Sequence, residues 1–245
     1  MAEVGVTTGN AVHVPRHLHA AGAAGGSTFL LNARSGRWHV LNPVATSLWC
    51  ELGRLGDVER VLDDAAGRYP DAVGDTARSD ARRVIADMVE RGLVVEGSGS
   101  PSRSRTGESP DGLLTTDHLP PVTGVRALAG LVVALVLLRL PFHFTLRVVG
   151  VLNRRWCARA ATADEVMAAV AAVDAVADRH PGRAACLERS LAAVVTTALS
   201  RRRVRWVLGA ADDPCRFHAW VESGGMMVGR TPDGSASAFI RVLAL

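Results

Sequence analysis

Hydrophobic and polar positions fall into short alternating or apolar runs near the start of the chain. They pass into helical periodicity soon after. Ser27 to Asn32 (STFLLN) and Arg37 to Leu41 (RWHVL) are partly apolar runs separated by the turn-forming Ala33-Arg34-Ser35-Gly36, a pattern that predicts a hairpin. Asn42-Pro43 follows, an N-cap residue before a proline suited to the first helical position. A helix is predicted over Val44 to Leu55, with Val44, Leu48, Leu52 and Leu55 at core spacing. Asp57 is positioned to cap a second helix, Val58 to Tyr69, stopped by Pro70. A third, Thr76 to Arg91, carries Val84, Ile85, Met88 and Val89 inward, with Gly92 as its C-cap. Leu93 to Glu96 reads as a closing strand.

The pattern resumes with Ala127 to Leu138 (ALAGLVVALVLL), twelve apolar residues between Arg126 and Arg139. A membrane span needs about 20. The run is therefore expected to be a buried or partner-facing helix, with membrane contact through 127–138 left open. An alanine-rich helix, Asp164 to Asp178, turns Val166, Val170, Val173 and Val176 inward, and His180-Pro181-Gly182 breaks it. Cys186 to Ser200 is the next helix. Strands follow at Arg205 to Gly209, Phe217 to Glu222 and Met226 to Arg230, the last two joined by a Gly224-Gly225 hairpin turn. Helices first and an antiparallel sheet after make an α+β pattern.

Between these parts, Gly97 to Pro121 is rich in Ser, Gly, Pro and Arg and has little apolar surface to bury, so it reads as a flexible linker. The expected organisation is residues 1–97, a small winged-helix-like unit; 98–120, the linker; and 121–245, a second α+β domain.

Composition changes this picture little. The chain is 48% hydrophobic and 21% charged, which is globular rather than disordered. All 28 basic residues are arginine, and a formal charge of +4 over 245 residues is too weak to argue for nucleic acid. The third helix also carries Asp80, Asp87 and Glu90 among its arginines, which disfavours phosphate contact. Met1 to Val12 shows no secretory pattern, so a cytoplasmic, reducing setting is expected. Cys50, Cys157, Cys186 and Cys215 form no C-x-x-C pair; neither a metal site nor a cofactor is expected.

Two residues stand out chemically. Cys186 lies where a loop turns into a helix, beside unpaired backbone N–H groups and the positive dipole end, a setting that favours thiolate. His218 lies on a strand, sharing a face with Trp220 and Glu222. A cysteine at a helix start and a histidine on a sheet strand form a nucleophile–base arrangement. The plain alternatives are a buried thiol and a structural histidine. Cys50, Cys157 and Cys215 have such readings, as do His39, His143 and His180. Trp38 and Trp49 read as core.

The flanking residues sharpen this. Cys186-Leu187-Glu188-Arg189-Ser190-Leu191 and His218-Ala219-Trp220-Val221-Glu222, thirty-two residues apart, resemble the C-L-x-R-S-L and H-A-W-V-E motifs of the leader peptidases of lasso-peptide clusters. Those have a transglutaminase-like, papain-like fold, and the resemblance covers about Val122 to Pro232. Phe29 to Leu52 resembles the PqqD-like recognition element of peptide-modifying clusters, which binds a leader peptide as an added strand beside the third helix. Here both parts would be fused. By position, the receiving edge would be Arg37, Trp38, His39, Val40 and Leu41. The helix wall would be Arg78 to Arg91, with Arg82 and Arg83 facing acidic leader side chains. For any single arginine the plain alternative is a solvated helix face.

One position departs from the family. The acidic third member commonly lies twelve residues after the histidine, and Arg230 stands there; a guanidinium accepts no hydrogen bond. Asp233 is the favoured substitute, ahead of Glu222; the alternative is no acid at all, with a backbone carbonyl or water orienting the ring. The resemblance implies a cysteine peptidase with Cys186 as nucleophile and His218 as base. It implies removal of the leader from a ribosomally made lasso-peptide precursor, working with an asparagine-synthetase-like cyclase. The alternatives are a transglutaminase-like acyltransferase using the same pair, and a catalytically degenerate leader-binding scaffold.

Overall fold

The computed structural model describes residues 11–68, 74–97, 105–106, 108, 110–111, 113–114, 124–179, 184–229, 231 and 238–245. The chain divides into two compact units, residues 1–32 with 38–106, and residues 33–37 with 107–245.

In the first unit, β1 (Val12–His13) pairs with β5 (Val95–Glu96). A separate sheet holds β2 (Leu18–Gly22), β3 (Thr28–Asn32), β4 (Trp38–Leu41) and β6 (Arg105–Thr106) in the order β4-β3-β2-β6. The predicted hairpin is β3–β4, in register Thr28 to Leu41 and Leu31 to Trp38. Three helices follow: α1 (Pro43–Leu55), α2 (Val58–Arg68) and α3 (Gly74–Glu90). Their starts follow the expected chemistry. Asn42 Oδ1 accepts from Ala45 N at 2.8 Å, and Asp57 Oδ1 accepts from Glu59 N at 3.0 Å. Leu30, Leu52, Val61, Leu62 and Ile85 are wholly buried together. Val44 is a correction: expected inward, it is exposed, because the buried face of α1 is centred on Ala45, Leu48, Trp49 and Leu52 and Val44 lies to its side.

The second unit opens with β7 (Leu113–Leu114), α4 (Gly124–Leu138), α5 (Phe142–Val151), a π turn (Leu152–Trp156) and β8 (Arg159–Ala160). It continues with α6 (Ala163–Ala177), α7 (Cys186–Leu199), β9 (Arg202–Arg203), β10 (Arg205–Ala211), β11 (Arg216–Ser223), β12 (Met226–Val228) and β13 (Ile240–Ala244). The five-stranded sheet runs β13-β10-β11-β12-β7 and is antiparallel except for β12–β7. The β11–β12 turn is Gly224-Gly225, with φ of 58° and 84°, the left-handed pair such a hairpin needs.

Helix α7 is the hub. It packs on β10 and β11 and is covered by α4 and α6. Accordingly Ser190 to Ala198 are buried without a break, as expected for a helix surrounded on all sides. Gly130 of α4 allows the close approach: a Cβ there would overlap Thr196 Oγ1 and Ala192 O of α7. Helix α6 starts with a capping box between Thr162 and Glu165.

Among its described residues, the stretch read as a linker supplies β6 to one sheet and β7 to the other. The His180-Pro181-Gly182 break, Arg230 and Asp233 lie outside the described residues.

Candidate active site

Cys186 is the first residue of α7. Its cap residue, Ala185, is extended (φ −82°, ψ −177°) and has no side chain able to occupy the first-turn N–H groups. Arg189, one turn on, holds the approach to the cysteine. Its Nε donates to Ala184 O at 2.9 Å, Nη1 to Asp174 Oδ1 at 2.9 Å and Nη2 to Asp178 Oδ1 at 2.7 Å. One planar guanidinium thus joins the loop before Cys186 to α6, using the fixed fork that only arginine has. Ser190 fastens the next residue to the sheet: it accepts from Trp206 Nε1 of β10 at 2.9 Å and donates to Leu187 O at 3.2 Å. Leu191 is wholly buried. The conspicuous run Cys186 to Leu191 therefore contains one cleft thiol followed by three residues that fix its helix.

His218 is buried in β11, directly opposite Gly209 of β10. Its ring stacks on Trp220 at a centroid distance of 6.0 Å and an interplanar angle of 17°, and lies 5.1 Å from Phe239. Trp220 and Phe239 are themselves 6.0 Å apart, so the imidazole sits at one corner of an aromatic cluster. Gly209 makes room for it: a Cβ there would overlap Trp220 Cη2 and Ile240 O. The shared face expected for His218, Trp220 and Glu222 is present.

Cys186 and His218 line one cleft of about 490 Å³, together with Val170, Asp174, Arg189, Trp220, Val228 and Thr231. The β11–β12 register, Val221 to Val228 and Ser223 to Met226, directs the continuing chain toward His218, and Thr231 is on that wall. Among the described residues, the buried Thr231 hydroxyl has no hydrogen-bond partner.

The acids sort clearly. Glu222 Oε1 accepts from Trp220 Nε1 at 2.9 Å and from Arg241 Nε at 2.7 Å. It lies four residues along the strand from His218, about 13 Å away at ~3.3 Å per residue. Its carboxylate is spent on the sheet and does not orient the ring. Among the described residues, Asp174 is the acid that lines the cleft, already paired with Arg189. Asp233 lies outside the described residues. Thr231 is where the Gly224-Gly225 hairpin predicts it, near His218; Asp174 and Phe239 are not singled out from the sequence, and the one signal is Asp174 itself, an acid set in the apolar stretch Ala171 to Ala177.

The proposed leader-binding residues separate into two groups. Trp38, His39, Val40 and Leu41 form β4, the outermost strand of its sheet. Val40 is exposed and Leu41 buried, as alternation requires. Arg37 precedes that strand, exposed, with its N–H donating to Ser35 Oγ. Arg82 is ion-paired to Glu59 at 3.2 Å and Arg83 to Asp80 at 3.2 Å, so each already has a carboxylate on its own domain.

The other cysteines fit plain roles. Cys157 is buried, and burial pushes its thiol pKa up against the pull of the Arg203 charge. Burial, then the Glu51 charge, pushes the Cys50 thiol up. Cys215 is exposed at the β10–β11 turn. Trp49 is core, its Nε1 donating to Leu93 O at 3.2 Å. Among the described residues no cluster of His, Cys, Asp and Glu is suited to a metal.

Comparison with known proteins divides the chain in the same way. Residues 27–94 match the family of coenzyme PQQ synthesis protein D (PqqD), and residues 127–243 match the transglutaminase-like superfamily. No curated protein and no solved structure matches the chain. The chain is a PqqD-like segment fused to a transglutaminase-like domain.

Proposed function

We propose that this protein is a cysteine peptidase that binds the leader of a ribosomally made lasso-peptide precursor and cleaves it from the core. The observation that carries the reading is the meeting of Cys186, at the first residue of a helix, and His218, on a strand, in one cleft of about 490 Å³. Cys186 Sγ attacks the scissile carbonyl while His218 takes the thiol proton. The carbonyl oxygen gains charge beside the Cys186 backbone N–H, which no cap side chain occupies. The C–N bond breaks, His218 protonates the departing amine, and a thioester remains. Water, deprotonated by His218, attacks the thioester and releases the leader acid and the thiol. The freed core amine is then available to an asparagine-synthetase-like cyclase for ring closure. The orienting acid is assigned to Asp233.

The first domain holds the leader. β4 is the outermost strand of its sheet; a leader added there as a further strand would gain affinity from main-chain hydrogen bonds and specificity from side-chain pockets. Tethering the leader raises the local concentration of the scissile bond at the cleft. The test compares full precursor with a leaderless core carrying the same bond. The full precursor is processed faster, with product masses corresponding to addition of water; equal rates contradict the tethering. Transfer of the acyl group to an added amine in place of water favours the acyltransferase alternative.

A further inference from the structure

Among the described residues, most of the large exposed apolar side chains lie on one segment, from α4 through α5 to the π turn. Val125, Leu128, Val132 and Val136 recur along α4 and are 78%, 51%, 52% and 58% exposed. This spacing sets them on one stripe about 17 Å long at 1.5 Å per residue. The opposite face of α4 (Ala127, Gly130, Leu131 and Ala134) is buried against α7 and its neighbours. Leu140, Phe144 and Val151 extend the exposed apolar surface along α5, and Trp156 ends it. So many large apolar side chains exposed on one segment are uncommon on a protein surface without a partner.

The charges along this segment have one sign. From Gly124 to Ala163 the chain has six arginines, at 126, 139, 147, 154, 155 and 159, and no Asp or Glu. All six are exposed. None is ion-paired to a carboxylate among the described residues, whereas Arg60, Arg78, Arg82, Arg83, Arg91, Arg189, Arg202, Arg205 and Arg241 are. Arg126 and Arg139 bracket the stripe, and no charged side chain lies between them.

We propose that this face docks on an anionic lipid surface, with α4 lying in the plane of the interface. An uninterrupted apolar stripe enters the acyl boundary, and arginines at its ends keep their guanidinium groups among acidic headgroups. Trp156, held beneath Arg201 at 4.9 Å, belongs at the interface depth aromatic rings prefer. Helix α4 has 15 residues, short of the ~20 that cross a bilayer, and no helix of the described residues is long and apolar enough to do so. A second copy of the chain is a poorer occupant, because self-association would bring two sets of unpaired arginines together.

The test is co-flotation of the full chain with phosphatidylcholine vesicles, with and without 30% phosphatidylglycerol. Binding is expected to the mixed vesicles and to weaken as salt rises. Arg139→Ala and Arg147→Ala are each expected to lower the partition coefficient about fivefold. Val132→Asp and Val136→Asp are expected to abolish binding. Both sites are already exposed, so circular dichroism of each variant is expected to match the parent. Equal partition into both vesicle types, no binding, or binding that survives Val132→Asp overturns the proposal. So does a dimer in light scattering that Val132→Asp disperses, which would give the face to self-association.

Discussion

Trp220 and Glu222 are joined on one strand by a hydrogen bond from the indole Nε1 to the carboxylate Oε1, 2.9 Å long. Arg241 of β13 donates to the same oxygen at 2.7 Å and to Gly225 O at 2.8 Å. The run His218 to Glu222 is therefore a strand that lines the cleft with His218 and Trp220 and ends in a buried polar tie that holds β11, β13 and the Gly224-Gly225 turn together. Trp220 connects the two, stacked on the imidazole and bonded to the carboxylate.

Removing Arg241 takes the close cation from that carboxylate, whose side chain is 1% exposed, and leaves it Trp220 Nε1 and the exposed Arg205 guanidinium at 3.8 Å. Arg241→Met is expected to lose about 3–5 kcal/mol of stability. The double variant Glu222→Leu with Arg241→Met should recover much of it, because no charge is then left buried. Urea midpoints of the single and double variants check this. A single variant within about 1 kcal/mol of the parent contradicts the tie.

Gly209→Ala is expected to cost about 3 kcal/mol, since the new methyl overlaps the Trp220 indole and the Ile240 carbonyl and has no direction in which to yield. Gly67→Ala in α2 is the control. Nothing lies within 4 Å of that position, and the substitution should raise stability by up to about 1 kcal/mol. Thermal unfolding of the two variants separates them.

Arg189→Lys keeps the charge but cannot reach Ala184 O, Asp174 and Asp178 together. Displacing a reacting group by ~1 Å costs about a hundredfold in rate. The variant should therefore lose kcat on that scale with KM nearly unchanged and circular dichroism retained. A change confined to KM would instead place Arg189 against substrate.

Leader binding at β4 predicts slower amide exchange over Trp38 to Leu41 when a leader peptide is added, by about tenfold or more at the newly bonded positions. Exchange that does not change there while the peptide binds places the leader elsewhere.

Much of the fold was legible because local chemistry and tertiary burial agree. The Asn42 and Asp57 caps, the Gly224-Gly225 turn and the periodic apolar faces of α3 and α7 each act within a few residues of their cause. What escaped had weak local signals. Strand β2 reads LHAAG, with no β-branched or aromatic residue, and exists through its pairing with β3. Helix α5 is rich in Val, Thr and Phe, poor helix formers, and β13 is defined by pairing with distant β10. At the site, Cys186 and His218 were visible as residues. Phe239 beside the imidazole and Asp174 beside Arg189 were not, because neither is near its partner in sequence. Glu222 illustrates the converse: alternation put it on the His218 face, but the face continues to Arg241, and that is where the carboxylate bonds.

The central claim is that the Cys186 thiol performs the cleavage. The direct measurement is leader release from purified full-length precursor, followed by mass spectrometry, with the parent protein and with Cys186→Ala. The parent should yield separate leader and core peptides whose summed mass exceeds the precursor by one water. Cys186→Ala should bind the precursor and leave it intact. Leader release at an unchanged rate by Cys186→Ala would contradict the account.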